Sequence, residues 1–248
     1  MQIGGAVRQP ANTAAQNAFW LDNLLRYHGA LRIMHPGLHM LVITIKQGKE
    51  KSLLAGDPWI YASAIERVDG HGKPGATALV QTSARKFLAR AAWAPKSQIQ
   101  ARVWTLDEKQ PVDHALIKNR IKAALAKSAA AAKKAMPDQL VRLVNAEDDG
   151  LPGLLVDGYG SGADGQLLCQ FQAAGVDAWK IPIVQALIAA TGCPNVYEMS
   201  DELIRKGEGL PVKSRTLAGE EPPARISLVE KGVRFQLELR TGERRALK

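Results

Sequence analysis

Several groups of residues in this chain have types and spacings that could do chemistry. Glu147-Asp148-Asp149 offers three successive carboxylates, the hard oxygen ligands that calcium and magnesium take. Side chains crowded into one turn rarely enclose an ion, and the neighbouring Asp149-Gly150 and Pro152-Gly153 are turn pairs. The triplet therefore reads as turn chemistry on a solvated surface. Gly160-Ser161-Gly162-Ala163-Asp164-Gly165 fits G-x-G-x-x-G, which can lay a pyrophosphate on a helix N-terminus. The next residues, Gln166 to Phe171, are strand-like rather than helical, so these glycines read as a hairpin loop and not a nucleotide site. Cys169 and Cys193 form no C-x-x-C, and the five histidines do not join them at zinc spacing. No metal site, no disulfide framework and no catalytic residue is expected, and a reducing cytoplasm fits.

The basic residues carry more. Residues 41–140 hold 17 Lys and Arg against 8 Asp and Glu, whereas residues 141–239 hold 9 against 14. A basic half joined to a mildly acidic half implies a polyanion partner for the first half only. Lys46, Lys49 and Lys51 surround one short turn, Arg85-Lys86 sit at a strand entrance, and Lys96 lies in a proline loop beside Trp93. Lysine and arginine contact phosphates, and an exposed aromatic such as Trp93 can stack on an unpaired base. For Trp59, Trp93 and Trp104 burial in a core is the competing reading, and for the lysines a solvated face.

These residues need elements to position them. Leu41–Ile45 reads as a strand, Gly48–Leu54 as a short helical turn closed by Gly56, and Pro58–Tyr61 as extended chain. Past the breaker cluster Gly70, Gly72, Pro74 and Gly75 come strand-like runs at 76–81, 87–93 and 99–104. Short strands at near-regular spacing predict a small barrel over 41–104 that includes Leu41–Ile45. Pro111 ends it, and the alanine-rich stretch 112–136 predicts a helix. Arg142–Asn145 and Leu154–Val156 read as strands around a tight corner, 177–190 as a helix, and 195–199 as a strand. Ile226–Glu230 and Val233–Leu239 form a hairpin turned at Lys231-Gly232. The fold class is α+β: a β-barrel over 40–111, then a small α/β domain over 112–239 ending in a hairpin. Residues 1–39, left unassigned, are expected to be a poorly ordered tail and 240–248 a second tail. No apolar run approaches the ~20 residues of a membrane span.

Several of these blocks resemble the PUA-containing bacterial 23S ribosomal RNA cytosine-C5 methyltransferases. The stretch from Arg142 to Asp157, with its Asp149-Gly150-Leu151-Pro152-Gly153-Leu154 centre, is one. Gly48-x-x-x-Ser52-Leu53-Leu54-x-Gly56-x-Pro58-Trp59-Ile60-Tyr61 resembles the opening block of the family. Lys86 to Arg90, with Trp93-x-Pro95-x-Ser97-x-Ile99-x-x-Arg102-Val103, resembles the end of its PUA domain. Ser200-Asp201-x-x-x-Arg205-x-x-Glu208-Gly209 and the terminal hairpin complete a likeness over residues 40–239. Met199 departs from the usual arginine, and Ala91-Ala92 stands where the family often has glycine. The resemblance implies a PUA-like barrel that binds structured RNA, 23S rRNA in particular, with no DNA or membrane partner. It gives weight to Lys46, Lys49, Lys51, Arg85, Lys86, Trp93 and Lys96 as RNA-binding residues.

The family's chemistry uses S-adenosylmethionine, a D-P-P motif and a nucleophilic cysteine. Glu220-Glu221-Pro222-Pro223 imitates that motif, but it lacks the apolar strand that should precede it, and residues 216–219 do not read as one. Neither cysteine has a nucleophile's context. The expectation is the RNA-targeting portion of such an enzyme, truncated before its catalytic domain, with no cofactor bound by this chain. A stand-alone, non-enzymatic RNA-binding protein is the alternative, and a protein-interaction module built on the acidic half is a third. Calorimetric titration of the 248-residue chain with S-adenosylmethionine should show no methyl-donor binding, and a saturable micromolar site would refute the reading.

Overall fold

In a computed structural model the described residues are 40–135, 138–160, 164–230 and 232–247. Residues 1–39 and the centre of the 160–165 loop lie outside them. Six strands build the first layer: β1 (Val42–Ile45), β2 (Trp59–Tyr61), β3 (Ile65–Asp69), β4 (Thr77–Thr82), β5 (Phe87–Trp93) and β6 (Ile99–Thr105). Their order is β2-β6-β5-β4-β1-β3, with β1 parallel to β4 and the other pairs antiparallel. The edge strands β2 and β3 are consecutive in the chain, joined by the single 3₁₀ turn Ala62–Ala64. Laid flat, six strands would hold their edges about 24 Å apart, yet the link from Tyr61 to Ile65 reaches about 15 Å at most. The sheet must therefore curl into a half-barrel, closed by chain rather than by a seventh ladder. Ile43, Ile45, Ile60, Val80, Leu88, Ala91 and Trp93 fill its inside.

The first helix, α1 (Glu50–Leu54), is the expected turn after β1. Strand β3 was not expected: Glu66, Arg67 and Asp69 interrupt its apolar residues because it is an edge, buried on one side only. Helix α2 (His114–Lys134) starts at Asp113, whose carboxylate accepts the Leu116 amide at 2.9 Å. It lies on a second sheet of β7 (Leu140–Asn145), β8 (Leu154–Tyr159), β9 (Gln166–Phe171), β10 (Val196–Glu198) and β11 (Arg215–Ala218), ordered β11-β10-β9-β8-β7. The predicted corner between β7 and β8 is there, with a 3₁₀ turn over Ala146–Asp149 and Gly150 at φ +66°.

Two expectations need correction here. The helix read over 177–190 is two helices, α3 (Ala174–Ala178) and α4 (Lys180–Thr191), that meet at Trp179. Pro182 has no amide to offer the Ala178 carbonyl, so continuous helix cannot pass through that turn. Residues 215–218, not marked as a strand in sequence, form β11, an antiparallel edge held by β10 and not the apolar strand that a D-P-P motif needs. Its half-buried, mixed residues hide the periodicity a central strand would show.

A third sheet, β12 (Arg225–Glu230), β13 (Val233–Glu238) and β14 (Arg244–Ala246), contains the expected hairpin and one strand more. The segment read as a C-terminal tail supplies β14, whose exposed arginines carry no apolar pattern. Side chains alternate along β9 and β10, which therefore serve two cores. Leu167, Cys169, Phe171 and Val196 face Ile117, Ile121, Ile183 and Leu187 of the helices. Leu168 and Tyr197 face Ile226, Leu228, Phe235 and Leu237 of the third sheet. No helix among the described residues is long and apolar enough to cross a membrane.

What joins the half-barrel to the second sheet is a set of specific contacts. Helix α5 (Glu202–Gly207) is capped by Asp201 and delivers Glu208 to the barrel wall. There the Glu208 carboxylate accepts from Arg102 Nη1 at 2.8 Å, Arg102 Nη2 at 2.7 Å and Ser97 Oγ at 2.8 Å. Trp59 Nε1 donates to Glu147 Oε1 at 2.9 Å, and Arg120 donates to the carbonyls of Trp104 and Gly150. Gly175 lets α3 approach the barrel, since a Cβ there would sit 2.6 Å from that of Ala92 and 3.0 Å from the Trp104 ring.

Glu208→Ala would leave Arg102, 11% exposed, without its partner. A loss of about 3 kcal/mol is expected in urea unfolding, because an uncompensated charge remains in a desolvated seam. Removing the exposed Glu202–Lys206 pair by Glu202→Ala should cost less than about 1 kcal/mol. Equal effects of the two substitutions would show that the clamp contributes nothing special.

Candidate RNA-binding surface

Because β1 and β4 are parallel, with Ile45 beside Thr82, the turns that leave them are neighbours. The Lys46–Lys49 turn and the Ser83–Lys86 turn thus share one end of the half-barrel, and Ser83 Oγ reaches back to the Ile45 carbonyl at 3.4 Å. Lys46 Nζ is tied to the Ser63 carbonyl at 3.0 Å. The second turn is closed by hydrogen bonds from the Arg85 and Thr82 amides, and Lys86 N donates to Thr82 Oγ1 at 3.1 Å. Arg85 holds φ +61°, a left-handed conformation that costs a non-glycine residue about 1 kcal/mol.

Of the residues selected from sequence, the structure brings Lys46, Lys49, Arg85 and Lys86 to this end, with Lys51 following in α1. Lys49, Lys51, Arg85 and Lys86 are exposed and make no ion pair among the described residues. Two carboxylates stand by the group: Glu50, between Lys49 and Lys51 in the chain, and Glu66, which accepts from Ser83 Oγ at 2.6 Å. Lys96 is not among them. It lies past the other end of β5, a strand of seven residues and about 20 Å. There its aliphatic stem packs on Gly209, where a Cβ would come within 2.6 Å of it.

Trp93 is corrected outright. It is 9% exposed, packed in the barrel core, and offers no face to a base. Trp104, 3% exposed, is buried in the layer between the barrel and the second sheet. Trp59, for which core burial was the competing reading, is instead 37% exposed. Sequence did not reveal this because all three tryptophans sit in strands of similar composition.

The acidic half behaves differently from the basic one. Asp149 is bound by Lys127 and Asp157 by Arg142. Glu198, fully buried, receives Lys180 at 2.7 Å, Arg215 at 3.3 Å and Arg205 at 3.8 Å. Burial pushes the Asp177 carboxyl up, but Lys180 and Arg205 outweigh it and hold the group below the usual carboxylate range. Burial, with Asp157 and Glu198 nearby, drives the Cys169 thiol far above its ordinary range. The triplet Glu147-Asp148-Asp149 is spent on Trp59, Asn145 and Lys127. No three or more acidic, histidine or cysteine side chains among the described residues are grouped to hold a metal.

A nucleotide cofactor does not fit the two places with the nearest pattern. The strand that follows Gly165, β9, is antiparallel to β8, whereas the dinucleotide fingerprint opens a helix. The β9–α3–α4–β10 crossover is parallel, but the start of α3 is packed under the barrel, with Ala174 against Gly75 and Gly175 against Ala92.

Residues 43–106 match the PUA-like domain family. The chain is 36% identical over 204 residues to Ribosomal RNA large subunit methyltransferase I of Aliivibrio fischeri, covering 82% of this chain and 50% of that protein. The protein of the same name from Aeromonas salmonicida is 38% identical over 210 residues, with the same coverage. Among solved structures, a chain described as a SAM-dependent methyltransferase from Streptococcus mutans superposes with a TM-score of 0.66 at 18% identity, covering 82% of this chain and 50% of that one. That second likeness speaks for the fold alone. The chain spans about half the length of the curated relatives it matches. It carries a PUA-like domain and is homologous, over 82% of its length, to the N-terminal half of the ribosomal RNA large subunit methyltransferase I family.

Proposed function

We propose that this chain is the rRNA-engaging portion of a ribosomal large-subunit rRNA methyltransferase, with the PUA-like barrel over 40–111 holding structured RNA and the α/β layer over 112–239 fixing its orientation. The work is cytoplasmic and S-adenosylmethionine is bound elsewhere than on these residues. The observation that carries the reading is the charge arrangement. Cations at one end of the barrel have no ion-pair partner among the described residues, while the carboxylates of the other half are largely engaged internally. A surface left with uncompensated positive charge attracts a polyanion and releases its counterions. The matched PUA-like domain and the rRNA methyltransferase relatives favour RNA as that polyanion.

The test is a filter-binding salt titration with a structured 23S rRNA fragment. The triple variant Lys49→Ala, Lys51→Ala, Lys86→Ala should flatten the slope of log K against log salt by about 0.7–0.9 for each phosphate no longer neutralised. Weakening should be similar across RNA sequences, since phosphate contacts position without reading bases. Neutralising exposed lysines in residues 141–239, such as Lys213, should change little. Equal slopes for wild type and the triple variant would mean that these lysines are only a solvated surface.

Arg85 separates stability from binding. Arg85→Gly relieves the left-handed conformation and should stabilise the chain by up to about 1 kcal/mol. The same change should weaken RNA binding and lower the salt slope. A variant that is stabilised and binds as before would remove Arg85 from the surface.

A further inference from the structure

We propose that Trp59 and Tyr61 form a corner that stacks one unpaired RNA base, a site distinct from the phosphate-binding end of the barrel. The proposal rests on the RNA-binding reading above and adds what the lysines cannot supply, a preference for single-stranded nucleotides.

Strand β2 is the edge of the first sheet, paired with β6 alone. Ile60 points into the barrel at 3% exposure, so its neighbours on either side point out. Trp59 and Tyr61 are 37% and 42% exposed, with ring centroids 6.5 Å apart and planes at 85°. A planar base laid on either ring meets the edge of the other, the arrangement that ring quadrupoles favour. Two large aromatics at i and i+2 on an open edge are not what a barrel wall needs for its core.

The Trp59 ring is held in place before any ligand arrives. Its Nε1 is tied to Glu147, its backbone amide to Asp57 Oδ1 at 2.9 Å, and the preceding Pro58 carbonyl accepts from Val103 at 2.8 Å. A fixed ring loses little freedom on stacking. Beside it the charges are sorted. Arg102, opposite Trp59 in the ladder, is neutralised by Glu208. Lys96 rests on Gly209, the residue after Glu208, exposed and without an ion pair among the described residues. It is the cation suited to the phosphate next to a stacked base. Lys96 is the predicted site residue that the phosphate-binding end does not include, and the corner gives it a place.

The experiment measures anisotropy of two labelled RNAs with the full chain: a hairpin with an unpaired loop, and a blunt duplex of the same stem. Tyr61→Ala breaks no side-chain hydrogen bond in the described structure and should weaken hairpin binding about tenfold while leaving the duplex within twofold. Trp59→Ala should do the same, Trp59→Phe should keep most of the affinity, and Lys96→Ala should weaken the hairpin more than the duplex. The Lys49, Lys51 and Lys86 variant should weaken both RNAs alike. If Tyr61→Ala and Trp59→Ala leave the hairpin unchanged, or weaken both RNAs equally, the corner is overturned while the RNA reading stands. If the wild-type chain binds neither RNA, the RNA reading itself falls and takes the corner with it.

Discussion

A carboxylate buried between two sheets is costly unless its charge is paired and both oxygens are hydrogen-bonded, and Glu208 meets that condition with three donors from one wall of the barrel. The bidentate guanidinium fixes an angle as well as a distance, because two parallel N–H bonds cannot be kept if either partner rotates. Placing Glu208 there requires α5 to be held from behind. Arg205, 2% exposed, does so by donating to the Phe171 and Pro211 carbonyls and pairing with Asp177 at 3.0 Å. Gly209 follows at φ +67°, with no room for a side chain beside Lys96. The barrel, α5 and the end of β9 therefore constrain one another through charge, and the apolar contact at Gly175 closes the other side of the seam.

The same economy explains the uneven charge of the chain. Carboxylates of the second half are consumed in holding elements together, most of all the fully buried Glu198, which gathers Lys180, Arg205 and Arg215. An acidic protein-interaction surface is poorly supplied when its acids are so engaged. In the basic half, Lys49, Lys51, Arg85 and Lys86 are exposed and have no ion pair among the described residues. Net charge by segment therefore says little about the α/β layer, where the acids are used internally.

How much could be read beforehand depends on the physics of each element. Strands with an apolar inner face, such as β5, and the turn after β7 were legible because pattern and turn chemistry agree there. Strands β3, β11 and β14 were missed because edges need only one partner and tolerate charge. The break at Trp179 was written in Pro182 and could have been seen. The candidate site residues could be selected by type, but sequence did not place them. Lys86 and Lys96 are ten positions apart and look like one cluster, yet an intervening strand carries them to opposite ends. Trp59 and Trp93 look alike in sequence, and only the direction of each side chain across the pleat decides which meets solvent.

That last distinction bears on how such a surface recognises RNA. On the proposed reading, phosphate contacts at one end of the barrel would set affinity and orientation without regard to sequence, and a stacking corner at the β2 edge would add a demand for an unpaired base. The two regions belong to one curled sheet, so an RNA that used both would need a loop at the matching distance from its stem. Trp59 links that sheet to the second layer, since its indole is tied to the 3₁₀ turn of Glu147, and that turn is anchored to α2 through Lys127 and Arg120. A base held at the corner is therefore held relative to the α/β layer too. Orientation of RNA against that layer is the property a separate catalytic centre would need from this half.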